Sequence, residues 1–156
     1  MRTHRPDAPF LYPPAERFDL SGWKRLREGN SLTLVSSGYM VHTALKAAEE
    51  LQREGISCNV FDVYAFPLDA SSILEAARAC GGTILSVEDN YIGGLHAELA
   101  EAAASAPAAP PSGLRVIGLT CRRLPKSALT AEEIFSYTGV GVEDVKQAAR
   151  KALAAG

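Results

Sequence analysis

Apolar positions along this chain switch repeatedly between two spacings, and the switches divide it into short strands and helices. Residues 31–37 (SLTLVSS) are rich in β-formers and half apolar, and Gly38 ends them. From 40 to 53, Val41, Ala44, Leu45, Ala48 and Leu51 recur at helical spacing, and Gly55 closes that helix. Residues 58–66 predict a second buried strand. Pro67 and Asp69 open a helix with Ile73, Ala76, Ala77 and Cys80 on one face, stopped by Gly81 and Gly82. A third strand is expected over 83–87. Gly93 and Gly94 then precede a helix carrying Leu95, Leu99 and Ala102. The alanine- and proline-rich stretch 103–111 reads as a surface loop, and 114–120 as a fourth core strand. Thr130 and Glu133 have the spacing of a capping box for a short helix. Gly139 and Gly141 lead into a last helix with Val142, Val145, Ala149 and Leu153 inward.

Two segments precede this alternation. Residues 1–20 contain Pro6, Pro9, Pro13 and Pro14, which fix φ and hold their predecessors extended, so an extended leader is expected. Residues 22–27 predict a short edge strand. Strands alternating with helices argue for a mostly parallel α/β sheet covered by helices on both faces. Val60, Val63, Ile84, Leu85, Val116 and Ile117 are expected in the central sheet, because continuous apolar runs suit strands covered on both sides. The division is a leader over 1–21 and one domain over 22–156, with no internal repeat.

Composition narrows the function classes. With 156 residues, 47% hydrophobic and 22% charged, the chain has globular values and enough length for a sizeable core. A net charge of -2 gives no electrostatic grip on nucleic acid. The three cysteines are widely spaced and odd in number, which argues against a zinc site or a disulfide framework. Free thiols fit a reducing, cytoplasmic compartment. The first residues carry no apolar signal core, and no apolar run approaches the roughly 18 residues of a membrane helix, so no membrane partner is expected.

Ligands of open α/β sheets bind beyond the carboxyl ends of the strands. Two loops there precede helix N-termini, whose free amides attract anions: Ser36-Ser37-Gly38-Tyr39 and the run from Glu88 to Gly94. Ser36, Ser37, Gly38, Gly93 and Gly94 are thus candidate anion-binding positions. The plainer reading of the first loop is a strand-to-helix turn with serine caps. The first loop is not a Walker motif and not Gly-x-Gly-x-x-Gly. Glu88 and Asp89 are adjacent and point to opposite sides of an extended segment, which suits a cap or ion pair better than shared acid/base work. His42 reads as a surface or structural residue, and His96 has no evident Cys or Asp partner. Arg5, in the leader beside His4, would need a partner domain to complete a phosphate site. No catalytic constellation and no metal-ligand spacing stands out.

Four blocks carry a resemblance. They are Arg2-Thr3-His4-Arg5-Pro6-Asp7-Ala8-Pro9; SLTLVSSGYMVHTALKAAEELQREGISCNVFDVYAFPLD; TILSVEDNYIGGLHAELAEAAA; and FSYTGVGVEDVKQAARKAL. In this order the chain resembles the C-terminal domain of transketolase. 1-Deoxyxylulose-5-phosphate synthase and the β subunits of 2-oxo acid dehydrogenases share that domain. The resemblance implies a three-layer α/β/α domain with a mixed, mostly parallel five-stranded sheet whose first short strand is antiparallel. It also implies a homodimeric enzyme that moves a two-carbon ketol unit between sugar phosphates.

In that family thiamine diphosphate and its divalent metal (Mg) bind between two other domains, neither of which matches here. The resemblance therefore implies no cofactor on this chain, no catalytic residue within it and a role in dimer assembly. Its partners would be the thiamine-binding domains or subunit of the same enzyme. The chain would be a fragment or one subunit of a split enzyme, with the leader favouring a fragment. The one functional residue carried over is Arg5, which stands where the family's pyrimidine domain ends in an arginine that contacts the substrate phosphate. The Glu-Asp-His block usual in the family reads Glu88-Asp89-Asn90 here, and His96 stands where a glycine is common, so no histidine role is carried over. The rival reading from the residues alone is a stand-alone regulatory module that binds an anion at the strand ends.

Overall fold

The computed structural model describes residues 8–107 and 113–155. Five strands, β1 (Trp23–Arg27), β2 (Leu32–Ser36), β3 (Cys58–Val63), β4 (Thr83–Val87) and β5 (Arg115–Leu119), form one sheet in the order β1-β3-β2-β4-β5. β1 runs antiparallel to β3, and the other pairs are parallel. The helices are α1 (Met40–Arg53), α2 (Ser71–Arg78), α3 (Leu95–Ser105), α4 (Ala131–Thr138) and α5 (Val142–Ala154). The result is the expected α/β/α arrangement with a mixed five-stranded sheet.

Side-chain alternation along the strands builds two cores. Leu34 and Val60 face α1 and α5, where they meet Ala44, Ala48, Val145 and Ala149. Val35, Phe61 and Ile84 face the other way, onto Ile73, Ala77 and Leu99 of α2 and α3. Val60, Val63, Ile84 and Leu85 are fully buried as expected. Val116 and Ile117 are only partly covered, because β5 is an edge strand with one neighbour rather than a core strand.

Local hydrogen bonds explain where element ends differ from the pattern. β3 stops at Val63, because the amides of Tyr64 and Ala65 turn back to the Gly22 carbonyl at 2.8 and 3.2 Å. α2 starts at Ser71, since the Asp69 carboxylate accepts from the Ser71 amide and hydroxyl at 3.0 and 2.7 Å. α3 continues into the alanine run to Ser105, consistent with alanine's helix propensity. At α4 only half of the capping box forms: Thr130 Oγ1 accepts from the Glu133 amide at 3.2 Å, while the Glu133 carboxylate takes the amide of Leu129.

Residues 8–21 lie over the β1–β3 corner. Phe18 stands edge-on between Tyr12 and Tyr64, with ring centroids 4.9 Å apart on each side. Lys24 pairs with Glu16 and sits over the rings of Tyr12 and Phe18. No described helix is long and apolar enough to cross a membrane.

Candidate functional site

After β2 the chain crosses to β3 on one side, then to β4 on the other. The loops that follow β2 and β4 therefore diverge at a topological switch, where open α/β sheets place their clefts. A cleft of about 490 Å³ lies there, lined by Ser37, Gly38, Gly93 and Gly94 among others. The structure thus brings together four of the five anion-loop candidates. Ser36 is not among them: it belongs to β2, and its hydroxyl donates to the Val87 carbonyl at 2.9 Å. The expected serine cap is absent too, because α1 begins after Tyr39 without a side-chain cap.

The chemistry of this cleft is set by Glu88. Its carboxylate is buried, 6% exposed, and accepts from the amides of Leu95 and His96, each at 2.9 Å. The first free amides of α3, which would otherwise draw in an anion, are filled from within the chain. Gly94 makes this geometry accessible, because a Cβ there would lie 2.3 Å from Glu88 Oε2. Asp89 and Glu98 add two more carboxylates to the lining. An incoming phosphate meets negative charge at α3.

His42 and His96 do not share the cleft. The His96 ring packs against Gly118 of β5, where a Cβ would come within 2.9 Å of its Cγ. Its Nδ1 is buried with no hydrogen-bond partner among the described residues. His42 stacks obliquely on Tyr39, ring centroids 5.6 Å apart. Among the described residues no three His, Cys, Asp or Glu side chains are grouped to hold a metal ion. With the α3 amides filled and the lining acidic, the described residues of this cleft do not fit a diphosphate cofactor.

A second site escaped the sequence reading. Tyr12 of the leader donates its hydroxyl to Asp62 Oδ2 at 2.6 Å, and Asp62 is only 5% exposed within β3. Burial pushes the Asp62 carboxyl up, while the Tyr12 hydrogen bond and the nearby His42 act in the opposite direction. Burial and then Asp62 raise the Tyr12 phenol far above its ordinary range, so it remains a donor. The available signal was an acid at an inward position of CNVFDV, on the same face as Val60. Arg5 and His4 lie outside the described residues.

A larger apolar cavity of about 870 Å³ opens beyond β5, walled by Leu124, Pro125, Leu129, Ile134 and Phe135, with Arg122 and Arg123 also lining it. It belongs to a wider pattern. Every exposed large apolar side chain among the described residues lies in a segment that enters or leaves the carboxyl edge of the sheet. Phe10, Phe18 and Leu20 precede β1, Phe66 follows β3, Tyr91 and Ile92 follow β4, and Leu124 and Leu129 follow β5.

The comparisons with known proteins agree with the architecture. The sequence profile of the transketolase C-terminal domain matches residues 21–145. Transketolase of Homo sapiens is 35% identical over 153 residues, which is 96% of this chain and 24% of that protein. Transketolase-like protein 1 of Bos taurus is 40% identical over 108 residues, 67% of this chain and 18% of that protein. The solved structure of a split-gene transketolase, an inactive β4 tetramer, superposes with a TM-score of 0.82 at 29% identity, covering 96% of this chain and 48% of its own. The chain spans 24% of Homo sapiens transketolase and 48% of the split-gene chain. By its sequence and its sheet, this chain belongs to the transketolase C-terminal domain family.

Proposed function

We propose that this chain is the C-terminal, non-catalytic part of a transketolase, an enzyme that moves a two-carbon ketol unit between sugar phosphates with thiamine diphosphate and Mg. Residues 22–156 form the domain, and 1–21 are the end of the preceding pyrimidine-binding domain. Its partners are the thiamine-binding domains or subunit of the same enzyme, and the complete enzyme is a cytoplasmic homodimer. Arg5 supplies the substrate-phosphate contact.

The observation that carries this reading is the one-sided exposure of apolar side chains at the carboxyl edge. Exposed apolar patches of this kind mark partner surfaces, and the leader approaches from the same edge. The relatives contain far more chain than this one, so the occupant of that edge is their remaining portion. The rival anion-binding module has less support, since Glu88 already fills the α3 amides. An anion reaching the switch cleft would have only the α1 end beside Ser37 and Gly38.

The test is reconstitution. The chain is mixed with a thiamine-binding portion, thiamine diphosphate and Mg, and ketol transfer is followed. Turnover is expected in the mixture and not from the chain alone. Leu124→Asp, a solvent-facing change in this domain, should weaken association while leaving the chain's own melting temperature unchanged. Turnover by the chain alone, or unaltered association of the Leu124→Asp variant, would refute the reading.

A further inference from the structure

We infer that the apolar cavity beyond β5 is the socket for one segment of the thiamine-binding portion, a segment that sets large apolar side chains beside carboxylates. The inference rests on the reading that this portion covers the carboxyl edge.

The socket is preformed. The chain that follows β5 is pinned at its start, where the Cys121 amide donates to the Asn90 carbonyl at 2.8 Å and the Arg122 amide to the Thr138 carbonyl at 3.0 Å. It is pinned again before α4, where the Leu129 amide donates to Glu133 Oε2 at 3.0 Å. Between these pins and α4 lies the cavity of about 870 Å³. One of its walls is Phe135, which is buried and belongs to the core between the sheet, α1 and α5. Leu124 and Leu129, which also line it, are 89% and 95% exposed. Apolar surface of this extent marks a place that another body covers. Tyr91 lines the cavity as well, and the exposed Ile92 follows it in the chain. The apolar surface thus continues past the cavity, which suits a chain segment better than a small molecule.

Charge narrows the occupant further. Arg122 and Arg123 line the cavity, and Arg123 and Lys126 both lie over the Tyr137 ring, at 5.5 and 4.1 Å from its centroid. A ring face holds cations in place without cancelling their charge. The acids of α4 are turned elsewhere: Glu132 accepts from the Tyr39 hydroxyl, and Glu133 from the Leu129 amide. Among the described residues none of Arg122, Arg123 and Lys126 forms an ion pair, whereas Lys146 and Arg150 of α5 are each matched by glutamates. Asp89, shared with the switch cleft, is the one carboxylate among the described residues lining the cavity. Three cations against one acid leave an excess that carboxylates on the occupant would match. The source of such a segment is the chain this domain lacks, since it spans 24% of Homo sapiens transketolase and 48% of the split-gene chain.

The experiment uses the complex of this chain with the thiamine-binding portion. Its affinity is titrated for the unaltered chain, for an Arg123→Glu, Lys126→Glu double variant and for Arg53→Glu, an exposed reversal at the far end of α1. Each titration is run at about 0.05 and 0.3 M salt. The unaltered complex should weaken about three- to tenfold at the higher salt. The double variant should bind about ten- to a hundredfold more weakly and lose that salt dependence, while Arg53→Glu should match the unaltered chain. Unchanged melting temperatures of the separate chains show that docking, not folding, was altered. A carbodiimide that joins the Lys126 amine to a touching carboxylate then identifies the occupant. Mass mapping should place the link on an Asp or Glu of the thiamine-binding portion, next to large apolar residues. Equal affinities of the unaltered and doubly reversed chains, or a Lys126 link to a second copy of this chain, would overturn the inference. If Leu124→Asp still weakens association in that case, the reading of the carboxyl edge stands. If the two portions do not associate at all, that reading fails, and the inference goes with it.

Discussion

Replacing Glu88 by glutamine removes charge from the first turn of α3 at nearly constant volume. The carboxylate accepts two amide hydrogen bonds at 2.9 Å from a buried position. Glutamine keeps one acceptor and turns an NH2 group toward the other amide. One charge-assisted bond is lost, worth about 1.5–3 kcal/mol, and the helix terminus loses a further ~0.3–1 kcal/mol of charge stabilisation. Water at the rim of the cleft restores part of this, so a net destabilisation of about 2–3 kcal/mol is expected. Gly94→Ala reaches the same end by another route, because its Cβ would lie 2.3 Å from Glu88 Oε2 and push the carboxylate off the amides. Each change disables the same cap, so the double variant should cost clearly less than the sum of the two. Urea unfolding at pH 7 with a common m-value measures all three. Additive costs, or a Glu88→Gln cost under about 0.5 kcal/mol, would show that the carboxylate does not hold the helix.

Three further outcomes follow from the cores and the helix surface. Ile84→Ala, at a fully buried position, should cost about 2–5 kcal/mol, whereas Val116→Ala on the half-covered edge strand should cost about 1 kcal/mol or less; comparable costs in urea unfolding would refute the layer assignment. Burial pushes the Cys58 thiol up to about 11, so at pH 8 it should be alkylated at least ~100-fold more slowly than an ordinary thiol, and mass mapping that finds Cys58 modified as fast as the half-buried Cys121 would contradict this. Between α1 and α5, Arg150 and Lys146 hold Glu54 and Glu143 below the ordinary glutamate value. Their stabilising contribution is then complete above that ordinary value and is lost as pH falls through the lowered folded-state values. Melting temperatures from pH 7 down to 3 should fall less steeply in a Glu54→Gln, Glu143→Gln double variant, and identical slopes would count against the network.

Period and punctuation made most of the fold readable. α1 was legible to the residue, because its apolar stripe is bounded by Gly38 and Gly55, both at positive φ. β4 was equally plain between two glycine-marked turns. What the chain alone could not show was long-range. The order β1-β3-β2-β4-β5 makes β5 an edge, and nothing local in RVIGL distinguishes an edge strand from a central one. Glu88 was readable as a cap rather than a catalyst, but not as a group that fills the α3 amides. That required Gly94 to fold the loop back onto it. The pairing of Tyr12 with Asp62 spans the leader and β3, and no periodicity reports a contact across that distance.

The two lateral borders of the sheet have a consequence for how this domain evolves. β1 presents Lys24, Arg25 and Arg27 and carries a register irregularity between Arg25 and Arg27, features that discourage further strand addition. On the opposite border, β5 opens with Arg115, whose guanidinium donates to the carbonyls of Ala152 in α5 and of Ala155 just past its end. With strand-by-strand growth discouraged on one border, and helices on both faces, new contacts are most readily gained at the loop tips. Loops of this kind accept insertions and substitutions with little effect on the scaffold. Partner choice can then drift quickly among relatives while the sheet stays recognisable, so the loop tips should vary in length and composition far more than the strands that carry them.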